Sequence, residues 1–359
     1  MLYKTANPHG GDVYTKEIKI DFTTNLNPLG APLSVTEAAK ASISSIGRYP
    51  DPYCRKLIDA IAEYEGVEKD FILAGNGAAE LIYSYVYALR PKKAVLTAPS
   101  FSEYERALDA AGCEKDRYLL REESGFEIGP DFAAYLERSD ADLVFICDPN
   151  SPTGRLIRPG VLEAIADICR KRKIRLFADE CFLDLTGSED RLKRHLNDMP
   201  GLFILKAFTK SYAMPGLRLG YCLCSDQDLL SAMSKTGQSW NVSIPAQAAG
   251  IAAAGEKDYL KKSIDVIKEE RERLIVALAA CGFKVCHSDA NYILFRGQAG
   301  LDELVLKDGI AIKDCSSYPG LSKGWYRTAV KLPEENDVLI TALKKAANAV
   351  SFAGSNGGR

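Results

Sequence analysis

The chain has 359 residues, with 46 lysines and arginines against 48 aspartates and glutamates, and a formal net charge of -2. That balance offers no footing for a polyanion, which argues against nucleic acid as a partner. A chain this long buries roughly three quarters of its unfolded surface, so it needs neither disulfides nor a metal to hold a core.

The opening residues, MLYKTANPHGGDVY, carry no apolar signal segment, and no later stretch approaches a membrane span. No membrane partner is expected, and a cytoplasmic location is. The first 45 residues or so are loop-rich and are predicted to join a small domain. Next comes AGNGAAELI (74–82), a glycine turn that opens a helix. Backbone N–H groups at such a start cradle phosphate. The same stretch narrowly misses the dinucleotide fingerprint, because Glu80 stands where a third small residue belongs. A nicotinamide oxidoreductase is therefore a lower-ranked reading.

From about residue 70 onward, short apolar runs alternate with amphipathic segments. KAVLTAP (93–99), ADLVFICDP (141–149), IRLFADE (174–180) and LFILKAFT (202–209) predict buried strands, and Leu219 to Cys224 a further one. SEYERALDAAG, DFAAYLERS and PGVLEAIADICRKRK predict the helices between them. The alternation predicts an α/β fold with a mostly parallel sheet sandwiched by helices. Near residue 256 a long charged helix leads into the short strands FKVCHS, NYILFR, IAIKDC and WYRTAV and a closing helix, a small α+β domain. The predicted division is a large domain over 46–255 and a small one from 1–45 with 256–359. Ten cysteines without a CxxC pair, and His9, His195 and His287 far apart, fit buried thiols and no metal site.

In open α/β sheets ligands gather beyond the carboxyl ends of the strands. Asn150, Asp179 and Lys210 all follow predicted strands and would meet on one rim. Singly, each reads as a turn residue, a helix cap or a solvated cation. Jointly with the phosphate cradle they suit pyridoxal 5'-phosphate. Its aldehyde needs an amine and its ring nitrogen a carboxylate; Lys210 and Asp179 supply these. Arg218, returning after the Met214-Pro215-Gly216 break, supplies a cation for the phosphate.

DPNSPTG (148–154), DECF (179–182) and TKSYAMPGLRLGY (209–221) stand in the order and spacing of fold-type I pyridoxal-phosphate aminotransferases, and the chain resembles that family over nearly its whole length. The resemblance implies that Lys210 is the Schiff-base lysine and Asp179 the partner of the ring nitrogen. It implies a phosphate turn at Gly77, Ala78 and Ala79, with Thr209 and Arg218 adding contacts, and Phe101 stacking on the cofactor ring. It further implies a homodimer in which Tyr49 reaches the cofactor phosphate of the other subunit, and Arg327 as the clamp for a substrate carboxylate. Asn25 and His9 are carried as substrate-binding residues, and the basic residues around Lys323 are further candidates for a substrate phosphate. Two departures stand out. Ser151 replaces an asparagine the family often has, which leaves Asn150 or Ser151 facing the ring hydroxyl, with Asn150 favoured. Phe182 replaces a tyrosine that bonds the same oxygen.

HGGDVY, DFTTNLNPLG, GNGAAELIY, DECFLDL and IKDCSSYPGL resemble the threonine O-3-phosphate decarboxylase branch of the family, with histidinol-phosphate aminotransferases nearby. The implied reaction is loss of carbon dioxide from a small phosphorylated amino acid, for cobalamin assembly. The alternatives are a transaminase on histidinol phosphate or a related substrate, and a scaffold that kept the fold.

Overall fold

The structure, a computed structural model, describes residues 13–188 and 191–356; His9 lies outside them. Its strands are β1 (Ile20–Asp21), β2 (Ile72–Gly75), β3 (Lys93–Ala98), β4 (Glu114–Leu119), β5 (Leu143–Cys147), β6 (Arg175–Asp179), β7 (Leu202–Lys206), β8 (Gly220–Leu223), β9 (Lys284–Val285), β10 (Tyr292–Arg296), β11 (Ile310–Ala311), β12 (Lys313–Asp314) and β13 (Trp325–Ala329). Its α-helices are α1 (Leu33–Ser42), α2 (Arg55–Glu65), α3 (Ala78–Leu89), α4 (Ser102–Ala110), α5 (Pro130–Arg138), α6 (Pro159–Arg172), α7 (Phe208–Ser211), α8 (Gln227–Thr236), α9 (Ile244–Ala254), α10 (Lys257–Ala280), α11 (Leu301–Leu306) and α12 (Pro333–Asn356).

Seven strands form the central sheet in the order β2-β8-β7-β6-β5-β3-β4. The pairs from β4 through β7 are parallel, whereas β8 runs antiparallel to both β7 and β2. β8 is thus the reversed strand, one in from the edge, and the edge strand β2 again runs with the parallel set. The dinucleotide reading loses support because β2 bonds to the reversed β8 and is separated from β3 by four strands, so the helix after β2 does not join neighbouring parallel strands.

Strand parity sorts the core. Val144, Ile146, Leu176, Ala178 and Ile204 face one side, with α2, α5, α6 and α9. Leu143, Phe145, Cys147, Phe177, Phe203 and Leu205 face the other, with α3, α4 and α8. With a period of two, Asp179 falls on the Phe177 side and Glu180 on the Ala178 side. That parity decides which of two adjacent carboxylates meets the ligand rim.

Two elements differ from the sequence reading. The run LFILKAFT is strand only to Lys206; a helical turn, α7, follows. Phe208 leaves the sheet to pack edge-on against Tyr64 and Tyr212, and the Tyr212 N–H bonds Phe208 O at 3.0 Å. The edge strand β4 was not expected, since its EKDRYL has no buried residue and so no apolar run.

The second sheet, β12-β13-β10-β9, is antiparallel, and α10 and α12 contribute Leu274 and Leu339 to its core beside Phe295 and Tyr326. The N-terminal chain belongs to both parts. β1 pairs with β11, Ile20 opposite Ile310. The next residues cross the rim of the large sheet, where the Asn27 N–H bonds Lys210 O at 3.0 Å. Then α1 packs on α9.

Candidate active site

A cavity of about 380 Å³ opens beyond the carboxyl ends of the parallel strands, and its lining joins the two sheets. Asp179 closes β6, Lys210 sits on the turn after β7, and Arg327 reaches in from β13. Thr23, Thr24 and Asn25 enter from the N-terminal crossing.

One end of the cavity is the start of α3. Gly77, at φ 80°, occupies the left-handed region and approaches Arg218 so closely that a Cβ there would lie 2.5 Å from Nη2. A Cβ on Gly220 would meet the Ala78 nitrogen at 2.6 Å. Arg218 itself is held at φ 59°, a backbone state that residues with side chains rarely adopt. Ala78, Ala79, Thr209 and Arg218 line this end, so free helix-start N–H groups and a guanidinium face the same space. Glu80, the departure from the dinucleotide pattern, accepts from the Asn76 N–H at 2.5 Å and from Asn241 Nδ2 at 2.8 Å. It fastens the turn rather than facing a ligand. Gly77→Ala is expected to weaken binding of a phosphate-bearing ligand about tenfold or more, since the new methyl needs both a strained φ and the Arg218 space. A titration of pyridoxal phosphate checks this.

Asp179 is buried. Its Oδ1 accepts from the Cys181 N–H at 3.0 Å and its Oδ2 from the Tyr104 hydroxyl at 2.5 Å. Burial pushes the carboxyl up from its usual range, and the bonds to Cys181 and Tyr104 and the charge of Lys210 pull it back. Burial also pushes the Lys210 ammonium down to about 8, helped by the charges of Arg327 and Arg218. Lys210 Nζ lies 5.6 Å from the centroid of Phe182, whose ring packs edge-on against Tyr292.

Arg327 donates from Nη1 to Ser151 Oγ at 3.0 Å and from Nη2 to Thr23 O at 2.9 Å, while its buried Nε has no partner. Lys313 stands directly opposite Arg327 in the β12–β13 register and lines the same cavity. Cross-strand neighbours share a face, and two cations there repel unless an anion lies between them. Burial and Arg327 accordingly push the Lys313 ammonium down. Sequence reading looked to Lys323 for such a cation; the register that singles out Lys313 appears only in the folded sheet. Asn25 Oδ1 is buried without a hydrogen-bond partner.

Of the residues named from sequence, Ala78, Ala79, Phe101, Asp179, Thr209, Lys210, Arg218, Arg327 and Asn25 line this one cavity. Gly77 is not among the lining residues, though it immediately precedes Ala78; two others lie elsewhere and one is not described. Asn150 does not line it: its amide donates to Pro99 O and Thr153 Oγ1 at 3.0 Å each, and it is Ser151 that faces the space. Tyr49 is exposed and stacked on Trp240 at 4.5 Å. His9 falls outside the described residues.

The residues present fit pyridoxal phosphate. Helix N–H groups and a guanidinium face one end of the cavity, a buried carboxylate and a lysine of lowered pKa the middle, and further cations the far side.

Residues 17–343 match the model of the aminotransferase class I and II family. The chain is 35% identical to a threonine-phosphate decarboxylase of Salmonella typhimurium, over 98% of this chain and 99% of that one. It is 29% identical to a histidinol-phosphate aminotransferase of Cupriavidus pinatubonensis, over 91% and 88%. Its structure superposes on the histidinol-phosphate aminotransferase of Clostridium acetobutylicum with a TM-score of 0.86 at 30% identity, covering 92% and 99% of the two chains.

Proposed function

The chain belongs to the class I and II aminotransferase family of pyridoxal-phosphate enzymes, and on that premise we propose that it decarboxylates L-threonine O-3-phosphate to 1-aminopropan-2-ol O-phosphate, a step of cobalamin assembly. The observation that carries this reading is the facing pair Arg327 and Lys313, two cations in one cavity beyond the cofactor residues. Threonine phosphate brings two anions, an α-carboxylate and a phosphate. Histidinol phosphate brings only one, although the dicarboxylate co-substrate of a transaminase would also suit two cations. The transaminase reading therefore stands second.

In this reading the N–H groups after Gly77, with Thr209 and Arg218, hold the cofactor phosphate. Asp179 meets the ring nitrogen, Phe101 the ring face, and Lys210 Nζ the aldehyde. Ser151 rather than Asn150 stands toward the ring hydroxyl. When bound, the cofactor supplies an electron sink for the pair left at Cα. Arg327 and Lys313 would hold the two anions of the substrate and so fix the orientation of its carboxylate. Lys210 Nζ returns a proton to Cα after carbon dioxide departs. Asn25 Oδ1, buried and unpartnered, suits a donor on the substrate. His9 remains a candidate for the substrate phosphate. Leu33, Ile43, Ile46, Tyr49 and Tyr53 are exposed apolar residues; in this reading a second copy covers them and Tyr49 is its contact to the partner's cofactor phosphate. Among the described residues no helix is long and apolar enough to cross a membrane, and a cytoplasmic homodimer is the form proposed.

The test uses two substrates. Threonine O-3-phosphate without any keto acid is expected to release carbon dioxide over many turnovers, because decarboxylation regenerates the aldehyde. Histidinol phosphate with 2-oxoglutarate is expected to give no sustained glutamate. The reverse pair of results overturns the decarboxylase and leaves the transaminase. Arg327→Ala is expected to raise KM for threonine phosphate about tenfold or more, since a charge-assisted pair contributes roughly 1.5–3 kcal/mol. An unchanged KM would remove Arg327 from the substrate site.

A further inference from the structure

The Asp179 carboxylate has a partner that its motif does not announce. Tyr104 lies on α4, three residues after Phe101, and is buried in an aromatic cluster. Its ring stacks on Phe145 at 5.1 Å between centroids and tilts against Phe177 at 6.1 Å. Phenylalanine would satisfy those contacts. The hydroxyl is what differs, and it donates to Asp179 Oδ2 at 2.5 Å, within the range of charge-assisted O–H···O bonds. The second carboxylate oxygen takes the Cys181 N–H, so the plane of the group is fixed from two sides.

We propose that Tyr104 is a positioning residue, whose hydroxyl holds the Asp179 carboxylate charged and oriented for the ring nitrogen of the cofactor. The proposal rests on the reading that Asp179 meets that nitrogen. A carboxylate taken this far from water gives up its charge unless donors replace the water. Besides Tyr104, the groups facing Asp179 are Lys210 from α7, Cys147 from β5, Cys181 from its own loop and Tyr292 from β10. Burial keeps both thiols and Tyr292 neutral, and Lys210 is largely committed to the aldehyde once cofactor is bound. That leaves the Tyr104 hydroxyl, with the N–H and the neutral thiol of Cys181, as the donors that sustain the charge. Tyr104 is itself held neutral, pushed well above its usual range by burial and by Asp179, so it donates rather than accepts.

The experiment compares wild type, Tyr104→Phe and Asp179→Asn in equilibrium binding. The ligands are pyridoxal phosphate and its analogue with carbon in place of the ring nitrogen, each from pH 6 to 9. Tyr104→Phe is expected to weaken pyridoxal phosphate about tenfold, more so at the acid end, where the unsupported carboxylate takes up a proton. It should leave the analogue's affinity unchanged. Equal weakening of both ligands, or of neither, overturns the proposal and makes Tyr104 a packing residue. If Asp179→Asn leaves the preference for pyridoxal phosphate over the analogue intact, the ring-nitrogen reading falls as well. Loss of that preference in Asp179→Asn alone removes only Tyr104. Should Tyr104→Phe fail to fold, fluorotyrosine at 104, a stronger donor of nearly the same shape, is expected to tighten pyridoxal phosphate at acid pH, and no gain there overturns the proposal.

Discussion

Lys210→Ala is expected to lower turnover by about a thousandfold or more and to give a protein that holds pyridoxal phosphate without a covalent bond. Two jobs disappear together: the amine that holds the aldehyde, and the group that returns a proton to Cα. Proton transfer by a positioned side chain contributes 10²–10⁴-fold by itself. The phosphate end of the site is untouched, so the variant should still bind cofactor, through the N–H groups after Gly77 and through Arg218. Borohydride is expected to fix the cofactor on the peptide containing Lys210 in wild type and on no peptide in the variant. The pH dependence follows from the lysine's surroundings. Burial and Arg327 bring its ammonium down to about 8 from 10.5, so the amine is mostly charged at pH 7 and mostly neutral at pH 9. Covalent capture of cofactor by the apoprotein should therefore speed up through pH 8 and then level off. Arg327→Ala removes a repelling cation and should move that rise to higher pH. Retention of more than a few per cent of turnover in Lys210→Ala would end the assignment of both jobs.

The sequence carried the parts of this site that depend on chain order, and it lost those that depend on register. Asp179, Lys210 and Arg218 each follow or precede a strong apolar run, so their place at the rim could be argued before any coordinates. Tyr104 could not. On a helix it reads as one more apolar position, and only the packing of α4 on the Phe177 side brings its hydroxyl to Asp179. Lys313 was hidden for a similar reason, because its significance lies in standing opposite Arg327 across two antiparallel strands. The choice between Asn150 and Ser151 turned on the direction of a loop, which no periodicity encodes. Lys206 was passed over as a strand residue. In the fold it is a buried cation bridging Asp184 at 2.8 Å and Glu65 at 3.2 Å, so a lysine inside an apolar run is not by itself a sign of the ligand rim.

Strand parity makes the second large prediction a paired one. Asp179→Asn is expected to reduce turnover by about a thousandfold while the protein still fills with cofactor at saturating concentration. A neutral amide cannot hold a proton on the ring nitrogen, so the electron pair left at Cα has a poorer sink. A thousandfold loss corresponds to about 4 kcal/mol added to the barrier. The adjacent Glu180 is the control. It is as deeply buried, but β6 turns it to the opposite face, among Lys206, Glu65 and Asp184 rather than the cavity residues. Burial pushes its carboxyl up to about 8, so at pH 7 it is already mostly protonated and an amide is a close replacement. Glu180→Gln is therefore expected to change turnover by no more than about fivefold, within the range of ordinary polar substitutions away from the chemistry. Comparable losses in both variants would mean that the two carboxylates act as one buried network and that the ring-nitrogen role cannot be given to Asp179 alone. A loss confined to Asp179→Asn ties the chemistry to the face of the sheet that also holds Phe101 and Tyr104, which is what the alternation of two residues along one strand requires.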